Sequence, residues 1–197
     1  MSLASTGCLW IFGSKEVIMM QNDEKTVILQ KLSHAALLIS DNIHPDLVPT
    51  GGTLLAYARK SARDDTGIAY VQGGLGKENI PFDPRNVVFG GGGMIATVLL
   101  TAMKFDPGIR SAAIIACTVA AVKRMEARSL EVCSFDPGKE PPGIRTMDWG
   151  VAQCCRNGVP DAIFSRRTGG TGDNEAIIRI FGEEPQGVAN NILMLSV

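Results

Sequence analysis

Between Val87 and Leu100 a short apolar run leads into Gly90-Gly91-Gly92-Gly93 and then into an apolar stretch at helical spacing. Strand, glycines and helix in that order leave open backbone N–H groups at a helix N-terminus, where an anion such as phosphate can sit. Gly90, Gly91, Gly92 and Gly93 are therefore the first candidate ligand residues. They do not form a phosphate loop with Lys and Ser or Thr, because Ile95-Ala96 stand at those positions. They are no dinucleotide fingerprint either, since Ile95 replaces the third glycine and no acidic residue follows an adjacent strand at the expected distance. A tight strand-to-helix turn accounts for the same glycines without a ligand.

Charged side chains supply the other candidates. Asp136, Glu140 and Asp161 are expected to gather at one end of the sheet as acids or magnesium ligands, or else to be solvated carboxylates that cap turns. Asp106 and Arg110, four apart, fit an ion pair or a turn cap as well as a ligand site. Arg166-Arg167 has the chemistry of a phosphate clamp, although loop arginines are usually solvated. His44 before Pro45 has no partner in view and reads as a surface residue. Cys154-Cys155 sits on an expected helix, where one of two neighbours packs in the core.

Composition narrows the classes. A chain of 197 residues, 45% hydrophobic and 20% charged, is one globular domain. It is long enough to bury roughly two-thirds of its unfolded surface without staples. The net charge is -1, and the basic pairs Arg59-Lys60, Lys123-Arg124 and Arg166-Arg167 are scattered, so no nucleic-acid partner is expected. The only apolar run near the start, Cys8 to Phe12, is far below the about 20 residues of a membrane span. No membrane partner is expected. Five cysteines without a Cys-x-x-Cys pair, and two histidines, give no zinc spacing and predict a cytoplasmic protein with free thiols.

Period and breakers predict the elements that position these residues. Helices are expected over Lys25–Ser40, Thr53–Arg63, Met94–Lys104, Thr118–Arg128 (capped by Thr118), Asp148–Arg156 and Gln186–Leu195. Strands are expected over Gly67–Gln72, Asn86–Phe89, Ser111–Cys117, Leu130–Phe135, Ala162–Phe164 and Ile177–Phe181. Loops take Asp41–Gly52, the proline-rich Asp136–Thr146 and Ser165–Asn174. Interleaved strands and helices make an α/β fold with helices packed on a central sheet.

The run from Phe89-Gly90 to Leu99-Leu100-Thr101-Ala102-Met103-Lys104-Phe105-Asp106-Pro107-Gly108-Ile109-Arg110-Ser111-Ala112 closely resembles the ThiN-type thiamine-phosphate synthase domain of archaea and some bacteria. Ala56-Tyr57-Ala58, Ser134-Phe135-Asp136 with Glu140-Pro141, Trp149-Gly150-Val151, Pro160-Asp161 and Ile178-Arg179-Ile180-Phe181-Gly182 follow the family's order. The resemblance covers about residues 25 to 197, leaving 1–23 as an N-terminal extension and 24–197 as the domain. In that family the domain usually follows a pyrimidine kinase or a helix-turn-helix reader, and the short extension is too small for either. The resemblance implies a three-layer α/β/α fold with a mixed, mostly antiparallel central sheet, like the class II aldolases. It also implies a homodimer that joins hydroxymethylpyrimidine diphosphate to thiazole phosphate, giving thiamine phosphate and pyrophosphate.

The polar face departs from the family pattern. Gln72-Gly73-Gly74 stands for Glu-Gly-Arg, and Met94 and Thr97 stand for a histidine and an arginine. Ile114-Ile115-Ala116 replaces Asn-Ile-Arg, and Phe135-Asp136-Pro137 replaces Phe-Asp-Arg. Phe164-Ser165 replaces Tyr-Asp, and a longer loop through Gly172-Asp173-Asn174-Glu175-Ala176 replaces Gly-Lys-Glu-Pro. Expelling pyrophosphate needs preorganised positive charge, and one missing donor lowers the rate by about 10²–10³. The expected reading is thus a divergent domain that binds thiamine phosphate or a related phosphorylated ligand with little or no catalysis. Two alternatives stay open. One is a working synthase, with Asp136 and Glu140 holding magnesium and Arg110 or Arg166-Arg167 replacing the lost charge. The other is an interaction subunit without a small ligand.

Overall fold

The computed structural model describes residues 12–77, 80–143, 148–165 and 176–196, with side chains from residue 24 onward. Its first helix, α1 (Phe12–Asn42), begins well before the expected start at Lys25. Ile28, Leu32, Ala35, Ala36 and Ile39 are all buried, and their spacing puts them on one stripe of this helix.

The remaining elements are β1 (Leu54–Ala58), β2 (Ile68–Val71), β3 (Val87–Phe89), α2 (Gly93–Phe105), β4 (Ser111–Ala116) and α3 (Val119–Ala127). They are followed by β5 (Val132–Phe135), α4 (Trp149–Cys154), β6 (Ala162–Ser165), β7 (Ile177–Gly182) and α5 (Pro185–Leu195). The seven strands form one sheet in the order β3-β2-β1-β4-β7-β6-β5. Every neighbouring pair is antiparallel except β5 with β6. Buried residues of α1, α3 and α5 pack on one face, and those of α2 and α4 on the other. This is the expected three-layer, mostly antiparallel arrangement. Among the described residues no helix is long and apolar enough to cross a membrane.

The helix expected over Thr53–Arg63 is instead strand β1 and the turn after it. β1 lies between β2 and β4, and four of its five residues are buried. In a strand covered on both faces the apolar run is continuous, so Leu54, Leu55 and Ala58 imitate helical spacing. Elsewhere the expected elements are present, and the Thr118 hydroxyl accepts from the Ala121 N–H at 3.0 Å as the N-cap of α3.

Strand direction divides the chain's loops between two ends of the sheet. At the exit end of β4 lie Thr53, Gln72–Gly74, Ala116–Cys117, Asp136–Pro137, Ser165 and Ala176. At its entry end lie Ala58–Arg59, Gly90, Asp106–Arg110, Asp161 and Gly182. β5 and β6 run parallel, so Asp136, just after β5, and Asp161, just before β6, are at opposite ends. The expected gathering of Asp136, Glu140 and Asp161 does not occur.

The thiols also depart from expectation. Cys133 on β5 and Cys154 on α4 form a disulfide, with Cα atoms 5.9 Å apart. The chain leaves β5, crosses the sheet face through α4 and returns on the parallel strand β6, so residues 21 apart meet. Cys155 is the core-packed neighbour, 1% exposed. Cys8, Arg166-Arg167 and most of the loop after Ser165 lie outside the described residues.

Candidate functional site

The glycine run forms a turn that folds back over β2. Gly90, Gly91 and Gly93 all have positive φ, and the Gly90 N–H donates to the Ile68 carbonyl at 2.9 Å. A Cβ on Gly92 would sit 3.3 Å from Tyr70 Cγ and from the Ala96 methyl, so the turn lies against the Tyr70 ring. The Gln72 side-chain amide donates to the Tyr70 hydroxyl at 3.3 Å. Tyr70 thus brings together the glycine turn and Gln72, one of the positions that depart from the family pattern. Gly91, Gly93 and Met94 line the exposed side of the turn. The Thr97 hydroxyl donates to the Gly93 carbonyl at 3.2 Å and is turned into its own helix.

The other departing positions spread along the exit end. Gly74 has φ +75°, and a Cβ there would lie 2.5 Å from the Gly51 carbonyl oxygen and 2.8 Å from Gly52 Cα. No side chain fits at 74 without moving the Gly51–Gly52 backbone. Ala116 closes β4 and is buried, whereas Pro137 opens an exposed turn after β5. β2 and β5 stand five strands apart in the sheet order, so these positions do not form one cluster within the chain.

Two of the three carboxylates expected to bind magnesium are used by the backbone. Asp136 accepts from the Gly138 N–H at 3.0 Å, and Asp161 accepts from the Glu131 N–H at 2.8 Å. Glu140 is exposed. Among the described residues no group of three or more His, Cys, Asp or Glu side chains is arranged to hold a metal ion. The described side chains therefore do not assemble a magnesium site.

Asp106 and Arg110 stabilise the entry end. Asp106 caps its own turn, accepting from the Gly108 N–H at 2.8 Å. Arg110 donates through Nε and Nη2 to the Ala58 carbonyl at 3.1 and 2.8 Å, and its guanidinium lies 4.7 Å from the Tyr57 ring centre. Glu24 of α1 accepts from Arg59 Nε and from the Lys60 N–H, both at 3.1 Å. Its Oε1 is 3.9 Å from Arg110 Nη2. Tyr57 is pushed up to about 12 by burial and by its hydrogen bond to Glu184.

These bonds carry a pH dependence. Burial alone would raise the Glu24 carboxyl, but the Lys60 amide and the Arg59 and Arg110 charges outweigh it and hold it below its ordinary 4.5. Glu184 is lowered in the same way, burial being outweighed by Lys31, Tyr57 and Arg110. A carboxyl with a depressed folded pKa stabilises the protein above about pH 4.5 and loses that contribution as pH falls through the folded value. Melting temperature is therefore expected to drop as pH is lowered from about 5 towards 3. Glu24→Gln should make that drop shallower; an unchanged slope would contradict the assignment.

Among the described residues, the most buried charge is not one that the sequence singles out for chemistry. Arg179, in the middle of β7, is 7% exposed. Its Nε and Nη2 donate to Asp148 Oδ2 at 3.2 and 3.0 Å, and its guanidinium lies 5.3 Å from the Phe135 ring centre. Nη1 is buried with no hydrogen-bond partner among the described residues. Asp148 also caps α4 through the Val151 N–H at 3.0 Å, and its own N–H donates to the Thr101 hydroxyl at 3.0 Å. One polar chain thus links β7, α4 and α2. Its one signal in the sequence is an arginine between two isoleucines in a strand otherwise buried on both faces.

The architecture is that of a class II aldolase-like α/β domain. L-fuculose-1-phosphate aldolase from Thermus thermophilus superposes with a TM-score of 0.52 over 87% of this chain and 92% of that one, at 10% identity, a likeness of fold alone. The family model described as "Thiamine-phosphate synthase ThiN" matches residues 31–194, and the chain belongs to that family. It is 32% identical over 167 residues to the bifunctional thiamine biosynthesis protein ThiDN of Methanocaldococcus jannaschii. That match covers 83% of this chain and 38% of the relative, so the chain spans well under half of that protein's length. The crystal structure of a C-terminal domain of phosphomethylpyrimidine kinase matches with a TM-score of 0.74 and 26% identity, over 87% of this chain and all of that one.

Proposed function

We propose that this chain is a divergent ThiN domain that binds thiamine phosphate or a closely related phosphorylated ligand, and catalyses its synthesis at a negligible rate. One observation carries the reading. Six positions at which the family pattern has an acid, a histidine or a cation hold Gln72, Gly74, Met94, Thr97, Ala116 and Pro137, none of which ionises. The two with polar side chains are engaged internally, Gln72 with the Tyr70 hydroxyl and Thr97 with the Gly93 carbonyl. Preorganised positive charge on a departing pyrophosphate is what such chemistry needs, and these side chains provide none. The binding half of the reading is supported by membership of the family and by the exposed glycine turn against Tyr70. A homodimer belongs to the same reading.

Calorimetric titration with thiamine phosphate, with and without magnesium, tests the binding. Micromolar or tighter affinity is expected. Ligand at about 100 times Kd should also raise the melting temperature by roughly 5–10 °C. No heat, together with an unchanged melting temperature at millimolar ligand, would overturn the proposal and favour an interaction subunit.

A further inference from the structure

We propose that Cys133 and Cys154 form a reversible thiol–disulfide switch that staples α4 to the sheet edge and so holds the Asp148–Arg179 bridge in place. The inference is independent of the ligand reading above. β5 is the last strand in the sheet order, so Cys133 lies on an edge strand. Both bonded cysteines are half-buried, unlike the core-packed Cys155, and a small thiol can reach an edge site that it cannot reach in the core.

The element they hold is small. α4 has six residues, far fewer than the about 12–15 at which an isolated helix becomes even marginal. Its attachment depends on side-chain contacts: Val151 in the core, Trp149 edge-on to Phe135 at 6.0 Å, Asp148 with Arg179, and the Cys133–Cys154 bond. Breaking the bond removes one of these and leaves the Asp148 cap to hold Arg179 with fewer restraints. Among the described residues the two other thiols do not compete. Burial pushes Cys155 up to about 11, with the Asp148 charge adding to it, and burial also raises Cys117, so neither supplies much attacking thiolate.

The oxidant is a small-molecule disulfide such as oxidised glutathione. One cysteine thiolate attacks a glutathione sulfur and releases one glutathione thiol. The second cysteine then displaces the other glutathione and closes the protein disulfide. Two cysteine thiols lose two protons and two electrons, and one glutathione disulfide becomes two thiols.

The full chain is equilibrated in glutathione buffers from mostly reduced to mostly oxidised, the thiols are trapped by alkylation, and non-reducing peptides are mapped. The expected result is a Cys133–Cys154 linked peptide that appears and disappears reversibly within the series. The reduced form should melt roughly 5–10 °C lower and show altered tryptophan fluorescence. Cys133→Ser combined with Cys154→Ser should melt near the reduced value in every buffer. Both cysteines alkylated in every buffer, linkage of either to another cysteine, or a bond that stays closed across the whole series would each overturn the proposal. If the double variant does not fold, mapping and melting of the unmodified chain decide alone.

Discussion

Asp148→Ala is expected to destabilise the domain by about 3–5 kcal/mol, because it leaves the Arg179 guanidinium buried without its counter-ion. The side chains of the pair are 9% and 13% exposed, so solvent cannot replace the lost carboxylate cheaply. One Arg179 nitrogen already has no partner among the described residues. The substitution also removes the α4 cap at the Val151 N–H, a loss of about 1 kcal/mol in its own right. For a chain of this size the melting temperature should fall by roughly 10 °C. Asp148→Asn retains an oxygen for the cap and should lie between the two. Adding Arg179→Met to Asp148→Ala should recover much of the loss, since removing both partners of a buried pair is often neutral. A shift of less than about 2 °C for Asp148→Ala, or no recovery in the double variant, would show that the bridge does not hold α4 to β7.

Gly150→Ala is the second substitution with a large expected effect. A Cβ at 150 would overlap the Cζ, Cε1 and Cε2 atoms of Phe135, inside the ring's own volume. Phe135 has little freedom to withdraw, being 8% exposed, edge-on to Trp149 and stacked beneath Arg179. Overpacking of this kind costs about 1–3 kcal/mol, and the displaced ring would also disturb the guanidinium. Chemical denaturation should show a lower midpoint with an unchanged slope. Phe135→Leu, destabilising alone, should be less so in the Gly150→Ala background, since the two changes share one contact. Strict additivity would mean the glycine is there for another reason.

Much of the frame is readable from period and punctuation, and the failures share a cause. α2 follows its glycines, α3 begins at a Thr cap, β4 is a continuous apolar run and β7 is one interrupted by Arg179, all features that local physics expresses in the chain itself. β1 reads as a helix because burial on both faces removes the alternation that distinguishes a strand. Asp136 and Asp161 look like neighbours because composition carries no record of strand direction; the parallel pairing of β5 and β6 separates them. Cys133 and Cys154 look free because their meeting depends on a crossover helix and not on spacing. The Asp148–Arg179 bridge joins residues 31 apart through α4, and no local pattern announces it. Of the site, the departures from the family pattern are visible as residue identities. That Gln72 and the glycine turn meet at Tyr70 is not, because Tyr70 reads only as part of an apolar strand.

In the proposed reading the domain keeps its fold and lacks the charge needed to expel pyrophosphate. Restoring a cation at 74 or at 116 is not expected to recover activity, because an arginine at 74 would collide with Gly51 and Gly52, and one at 116 would enter the core. The direct measurement is pyrophosphate release from hydroxymethylpyrimidine diphosphate and thiazole phosphate in the presence of magnesium. It should be run beside the matching C-terminal region of the Methanocaldococcus jannaschii bifunctional protein. The expected turnover is at least about 10³-fold below that of the relative, even at high protein concentration. Release within about tenfold of the relative, dependent on both substrates, would contradict it and establish a working synthase that draws its positive charge from residues other than those of the family pattern.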